Sequence, residues 1–205
     1  MSDGGFISRG FGGRRRAPEE TAERLPPGQY AESGFPVLTA GPTPMVEQER
    51  WAFGIDGMVG ERRRWTWSEF HELPFEDVPC DIHCVTKWSK LGTSFRGVSV
   101  DVLMAEAQPQ GDHAMAFSYG GYTTNLALDD LTGGKAWVVT EHEGGALPRE
   151  HGGPARLLVP HLYFWKSAKW VAGLRVLDHD EPGFWEQNGY HNRGDPWKEE
   201  RYWND

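Results

Sequence analysis

The sequence has few cysteines and no long apolar run, and each shortage removes a class of protein. Two cysteines, Cys80 and Cys84, in 205 residues cannot staple a small secreted scaffold, and they offer neither an iron–sulfur ligand set nor a CxxCH haem motif. No stretch approaches the ~18 uncharged apolar residues that cross a bilayer, so no membrane span is expected. Positive charge is also short. Lys and Arg number 21 against 30 Asp and Glu, a net charge of −9 that repels phosphate backbones and speaks against a nucleic-acid partner. The one basic run, Arg14 to Arg16, leads into Ala17, Pro18, Glu19 and Glu20 where an export signal would place apolar residues, so a cytoplasmic protein is expected. Tryptophan, in contrast, is plentiful: ten such wide rings suggest a pocket, an interface or an aromatic core.

A chain of this length can bury the core of one domain. Residues 1–34 are rich in Gly, Arg, Glu and Pro without an apolar period, and are expected to stay flexible or wrap the surface. A domain over 35–180 follows, and 181–205 form an aromatic tail of mixed charge that is expected to pack on it. Three prolines hold FPVLTAGPTP, from Phe35 to Pro44, extended. Strands are expected at Trp51 to Val59, Val78 to Val85, Ala114 to Tyr119, Tyr122 to Leu128, Ala136 to Thr140, Arg156 to Val159 and Lys169 to Leu177. Thr66 and Glu69 have the spacing of a capping box for a short helix that Pro74 ends, and Ser99 caps a second helix that Pro109 closes. Strand runs with isolated short helices, rather than alternating βαβ units, make the class α+β with a mixed, sheet-rich body.

On a strand, Cys80 and Cys84 would lie about 13 Å apart at ~3.3 Å of rise per residue, too far for a disulfide. A single cysteine pair is also a thin basis for zinc, which takes about four ligands. A free cysteine is most often a small buried hydrophobe, which is the reading for Cys80. Cys84 differs, because there the apolar strand breaks into CVTKWSK. The lysines of that segment favour a thiolate, the form that ligates soft metals or attacks as a nucleophile.

The segments DIHCVTKW, FRGVSVDVLM, GYTTNLAL, LPREHGGPARLLVP and KSAKWV follow one another between Phe35 and Leu177. In that order they resemble the molybdopterin-binding domain of the sulfite oxidase family. GFISRGFGGRRRAPEE near the start and GFWEQNGYHNRGDPWKEERYW near the end resemble its small bacterial sulfite oxidase-like branch. The resemblance implies a sheet-rich molybdopterin-binding fold, a molybdenum–molybdopterin cofactor with one pterin per metal, and two-electron oxygen-atom transfer on a small substrate. It implies that Cys84 gives molybdenum its protein thiolate, a soft donor suited to this metal. It also implies that His151, Arg156, Ser167, Ala168 and Lys169 hold the cofactor, with Arg156 able to fork onto a phosphate or a pterin carbonyl. Thr39 in the extended segment would cover the cofactor, and Tyr122 would stand beside the substrate as a hydrogen-bond donor. Taken singly, each has a plainer use: His151 as a loop residue, Arg156 and Lys169 as solvent cations, Tyr122 as a packing ring.

The two arginines with which sulfite oxidases grip their substrate are missing. Ala40 and its neighbours take the first place, and Val85, Thr86, Lys87, Trp88 and Ser89 follow Cys84. Each lost charge-assisted hydrogen bond is worth about 1.5–3 kcal/mol, or roughly one to two decades of affinity, so efficient sulfite oxidation is not expected. Lys87 and His83 would restore part of that charge, while Trp88 would line a pocket suited to a neutral sulfoxide, N-oxide or similar oxo donor or acceptor. The family's haem and immunoglobulin-like domains have no room here, which implies a separate electron-transfer partner. Two rival readings remain: a non-catalytic pterin-binding protein on the same scaffold, and a zinc-stabilised binding module using Cys80, Cys84 and a histidine.

Overall fold

The computed structural model describes residues 19–205, so the basic run Arg14 to Arg16 and much of the 1–34 segment lie outside the described residues. In chain order the strands are β1 (Tyr30–Ala31), β2 (Ala52–Gly57), β3 (Arg63–Thr66), β4 (Phe75–His83), β5 (Trp88–Ser99) and β6 (His113–Ser118). They continue with β7 (Thr123–Ala127), β8 (Trp137–His142), β9 (Gly145–Ala146), β10 (Arg156–Leu158) and β11 (Val171–Leu177). The helices are α1 (Glu19–Ala22), α2 (Trp67–His71), α3 (Val100–Ala107), α4 (Leu128–Leu131) and α5 (Phe184–Gln187). One sheet runs β1-β5-β8-β10, with β4 added to β5 and β9 to β8; the other runs β3-β2-β11-β6-β7. The class is α+β and sheet-rich, as expected. Among the described residues no helix is long and apolar enough to cross a membrane.

Local chemistry sets the helices. The Thr66 hydroxyl accepts from Glu69 N–H at 3.4 Å while the Glu69 carboxylate accepts from Thr66 N–H at 2.8 Å, which closes the capping box at the start of α2. α2 then buries Phe70 completely, worth about 1.5–3 kcal/mol. Ser99 caps α3 by accepting from Asp101 N–H at 3.2 Å. Val100, Leu103, Met104 and Ala107 form its buried face, the stripe of an amphipathic helix.

Four strands have no counterpart among those expected from the sequence: the two-residue β1 and β9, and the longer β3 and β5. β3 hides in the charged run RRRWT, and β5, the longest strand, reads WSKLGTSFRGVS, too rich in Gly, Ser and Thr to stand out by apolar alternation. β5 nonetheless organises its sheet, pairing with β1, β4 and β8. The N-terminal stretch is tied to the same place: β1 runs parallel to β5, and Arg24 forms an ion pair with Asp81. Cys84 falls in a core cluster with Val78, Ile82, Trp88, Phe95 and Phe164, where the turn from β4 into β5 meets β8 and β10.

Candidate active site

β4 ends at His83, and the chain reverses through Cys84 to Lys87. Lys87 N–H donates to Cys84 O and Cys84 N–H to Trp88 O, each at 2.9 Å. The Gln29 side chain also donates to Cys84 O at 3.0 Å. This turn presents the thiol, whose residue is 8% exposed, to a cavity of about 410 Å³, within the usual size of a ligand pocket. Burial pushes the Cys84 thiol up, while hydrogen bonding from Thr86 and the charge of Lys169 pull it back. Lys169 is therefore the nearby cation in play, rather than the lysines of CVTKWSK.

His151, Arg156, Ser167 and Lys169 line this cavity with Cys84. The HGGP loop reaches them through close backbone packing. Gly152 has φ +111°, and a Cβ there would stand 3.0 Å from the Lys169 Cα; one on Gly153 would stand 2.2 Å from the Leu147 carbonyl oxygen. Gly152 thus brings the loop onto the KSAKW segment, and Gly153 lets it fold back on Leu147. Trp170 then takes a left-handed conformation at φ +51°, uncommon for a bulky residue.

Arg156, on β10, is 1% exposed. Its guanidinium donates to His151 O at 2.9 Å, to Ser167 O at 2.7 Å and to Leu157 O at 3.4 Å, and lies 3.9 Å from the Phe164 ring centroid. Among the described residues its partners are carbonyl oxygens and a ring, with no carboxylate. Burial lowers its pKa to about 9. Lys169 donates to Leu38 O and Glu150 O, each at 2.6 Å, and is lowered to about 8 by burial and then by Arg156. Burial, Lys169 and Arg156 together lower His151 to about 4. Its ring stacks on Phe35 at 3.8 Å, and its buried Nδ1 has no partner. The wall is a cluster of bases without an acid, a setting that favours an anion.

These features fit a phosphate-bearing pterin: a buried guanidinium free of carboxylates, unpartnered polar atoms at His151 Nδ1 and Trp88 Nε1, a pocket of suitable volume, and a cysteine at its edge. Thr39, with Phe35 and Ala40, lines the same cavity from the extended segment. Tyr122 is there too, its hydroxyl donating to Trp165 O at 2.7 Å, and burial holds that phenol well above its ordinary pKa.

Three expected positions do not reach the cavity. His83 neighbours Cys84 on an extended chain and so faces the other way; it is buried against Ser89 Oγ at 2.8 Å. Lys87 sits at φ +76° at the end of the turn and is exposed to solvent. The Ala168 side chain is buried in the main core, and its carbonyl accepts from Leu157 N–H at 2.9 Å. Cys80 is a free thiol that burial pushes up to about 12. Among the described residues, no three His, Cys, Asp or Glu side chains converge on a metal position, so a zinc-stabilised module lacks a ligand set there.

The sequence reading did not place Trp165, Phe184, Trp185 and Tyr190, which also line the cavity. The signal for the last three was the aromatic density of GFWEQNGY, which marked the tail without giving it a side. Gln29 carried no signal, since its contact with Cys84 spans 55 positions.

Residues 40–185 match the family model described as "Oxidoreductase molybdopterin binding domain". The chain belongs to that family. It is a molybdopterin-dependent oxidoreductase with a molybdenum–molybdopterin cofactor and the sulfite oxidase-like fold. It is 37% identical over 193 residues to the uncharacterized oxidoreductase YuiH of Bacillus subtilis (strain 168), covering 93% of this chain and 97% of that one. It is 25% identical over 156 residues to the protein-methionine-sulfoxide reductase catalytic subunit MsrP of Gluconobacter oxydans (strain 621H), covering 66% of this chain and 49% of that one; the chain thus spans about half of that relative. Among solved structures, the sulfane dehydrogenase SoxCD of Paracoccus pantotrophus matches with TM-score 0.61 and 21% identity, over 67% of this chain and 40% of that one. That likeness shows the fold.

Proposed function

We propose that this oxidoreductase transfers an oxygen atom, with two electrons, between a small uncharged oxo compound and a molybdenum centre that carries one pterin and has Cys84 as its protein ligand. The observation that carries this reading is the Arg156 guanidinium, buried without a carboxylate on the wall that also bears the Cys84 thiol. When bound, the molybdenum cofactor supplies a two-electron couple and an exchangeable oxygen. Arg156 and Lys169 hold its anionic end in a wall of low dielectric, where charge-assisted bonds are strong. His151 offers its unpartnered Nδ1. The Ser167 hydroxyl already accepts from Val159 N–H at 2.8 Å and keeps its own proton to donate; Ala168, buried in the core, has no part in this proposal. Thr39 closes the cavity from the extended segment. Tyr122 stays neutral, keeps its proton on the Trp165 carbonyl, and can turn it to a substrate oxygen. Lys87 and His83 have no part in this proposal.

The absence of the two sulfite-binding arginines supports an uncharged substrate, as does the protein-methionine-sulfoxide reductase name borne by several relatives. Electrons would be exchanged with a separate protein partner. Two free thiols suit a reducing compartment and support a cytoplasmic location. In this reading 35–180 form the cofactor-binding body, 19–34, the described part of the 1–34 segment, run along its surface, and 181–205 form a tail packed on the cavity. The test is dye-coupled turnover by protein purified from a host that makes molybdopterin, with sulfite and an oxidised dye, and with sulfoxides or N-oxides and a reduced one. The expected result is a kcat/KM for a sulfoxide or N-oxide about a hundredfold above that for sulfite. Molybdenum-replete protein that turns over none of them would instead be a non-catalytic pterin-binding protein.

A further inference from the structure

The tail brings to the cavity three rings that the cofactor wall does not use. Phe184 and Trp185 from α5, with Tyr190 beyond it, line the cavity together with Tyr122 and Trp165. The rings support one another. Trp185 and Tyr190 stack at 4.8 Å, Trp165 meets Tyr190 edge-on at 5.0 Å, and Phe184 meets Trp185 edge-on at 5.0 Å. Their cover is incomplete: Phe184 is 38% exposed, and Trp165, Trp185 and Tyr190 are half-buried.

A buried carboxylate fixes the assembly. Glu186 Oε1 accepts from Trp165 Nε1 and Thr124 Oγ1, each at 2.9 Å, and from Lys166 Nζ at 2.7 Å. Lys166 also donates to the Asn192 carbonyl, so the tail is pinned on both sides of Tyr190. Among the described residues no acidic side chain lines the cavity, and the basic side chains that do come from residues 151–169. A ligand that reaches the tail meets flat rings and no charge.

We propose that this tail wall selects the substrate, and that it takes an uncharged molecule bearing an aromatic or similarly flat apolar group beside the reacting atom. The inference rests on the cavity being the reaction chamber and adds the substituent that the chamber prefers. Rings already held by one another lose little freedom when a ligand arrives. A flat partner gains offset or edge-on contacts beyond simple area burial, whereas a small dialkyl compound or an inorganic oxyanion leaves most of the wall bare.

The experiment is calorimetric titration of the molybdenum-replete protein with methyl phenyl sulfone and dimethyl sulfone, fully oxidised probes that report binding apart from turnover. The wild type is expected to bind the phenyl compound at least about tenfold more tightly. Trp185→Ala should bring the two within about threefold, Trp185→Phe should keep the preference, and both should retain molybdenum. If Trp185→Ala fails to fold, Phe184→Ala, at the more exposed ring, is expected to reduce the preference in the same direction. Equal binding of the two probes by the wild type, or an unchanged preference in a folded alanine variant, overturns the proposal. A phenyl preference without turnover of any oxo compound would retract the oxygen-transfer reading, and with it the substrate role, and leave the tail wall as a binding surface for flat ligands; turnover without the preference would overturn the tail-wall proposal alone.

Discussion

Two buried bases, Arg156 and Lys166, keep opposite company. Lys166 is fully buried and completely matched: Glu186 at 2.7 Å, the Asn125 backbone carbonyl at 2.8 Å, Asn125 Oδ1 at 2.9 Å and the Asn192 carbonyl surround its ammonium. Arg156, almost as buried, has only carbonyl oxygens and an aromatic face. A cation whose charge is answered within the protein has nothing left for a ligand, and Lys166 accordingly joins the tail to the body. A buried cation answered only by dipoles is costly to the empty fold, and an incoming anion relieves that cost. The same chemistry, a buried base, thus serves as a fastener in one place and, under the proposed function, as a receptor in the other.

Removing each base is the strongest way to break the comparison. Lys166→Met leaves the Glu186 carboxylate buried without a counter-charge, with only Trp165 Nε1 and Thr124 Oγ1 donating to it, and the expected loss is about 3–5 kcal/mol of unfolding free energy in urea titrations. Pairing it with Glu186→Gln should bring the loss back to within about 2 kcal/mol of wild type. Arg156→Met strands no carboxylate, so the cofactor-free protein should lose less than half as much as Lys166→Met. Retained molybdopterin, measured by fluorescence after oxidation, should fall about ten- to a hundredfold. A stability loss in Arg156→Met equal to that of Lys166→Met, with the cofactor retained, would erase the distinction.

Acid sharpens the same contrast. His151 has a folded pKa lowered to about 4 from 6.5, so on acidification the unfolded chain takes up a proton before the folded one does. The stability associated with neutral His151 is present above the unfolded pKa and is lost as pH falls from about 6.5 through about 4, a change on the order of 3 kcal/mol. His151→Gln should flatten that part of the stability–pH curve; an unchanged curve would mean that the bases do not bear on one another. Far from the cavity, Thr66→Ala removes the cap of α2 and should lower stability by about 1 kcal/mol, with cofactor content unaltered.

What could be read in the residues divides along physical lines. The caps at Thr66 and Ser99 were visible because they depend on neighbours three residues away or fewer. The gathering of His151, Arg156, Ser167 and Lys169 on one cavity was visible because HGGPAR and KSAKW are dense, ordered and chemically particular. β5 was not, since its place depends on partners from three other strands rather than on its own composition. Lys87 and His83 looked like pocket residues because proximity to Cys84 in sequence was taken for proximity in space. The left-handed turn at Lys87 and the alternation at His83 send both side chains elsewhere. The aromatic wall needed the tail to return across the fold, which no local pattern specifies.

Metal analysis tests the central claim most directly. Wild-type protein and Cys84→Ser, both purified from a host that synthesises molybdopterin, are compared for molybdenum per folded chain. The account predicts about one molybdenum in the wild type and less than about a tenth of that in the variant, because the hydroxyl is a far poorer ligand than the soft thiolate. Equal molybdenum in the two proteins would contradict it.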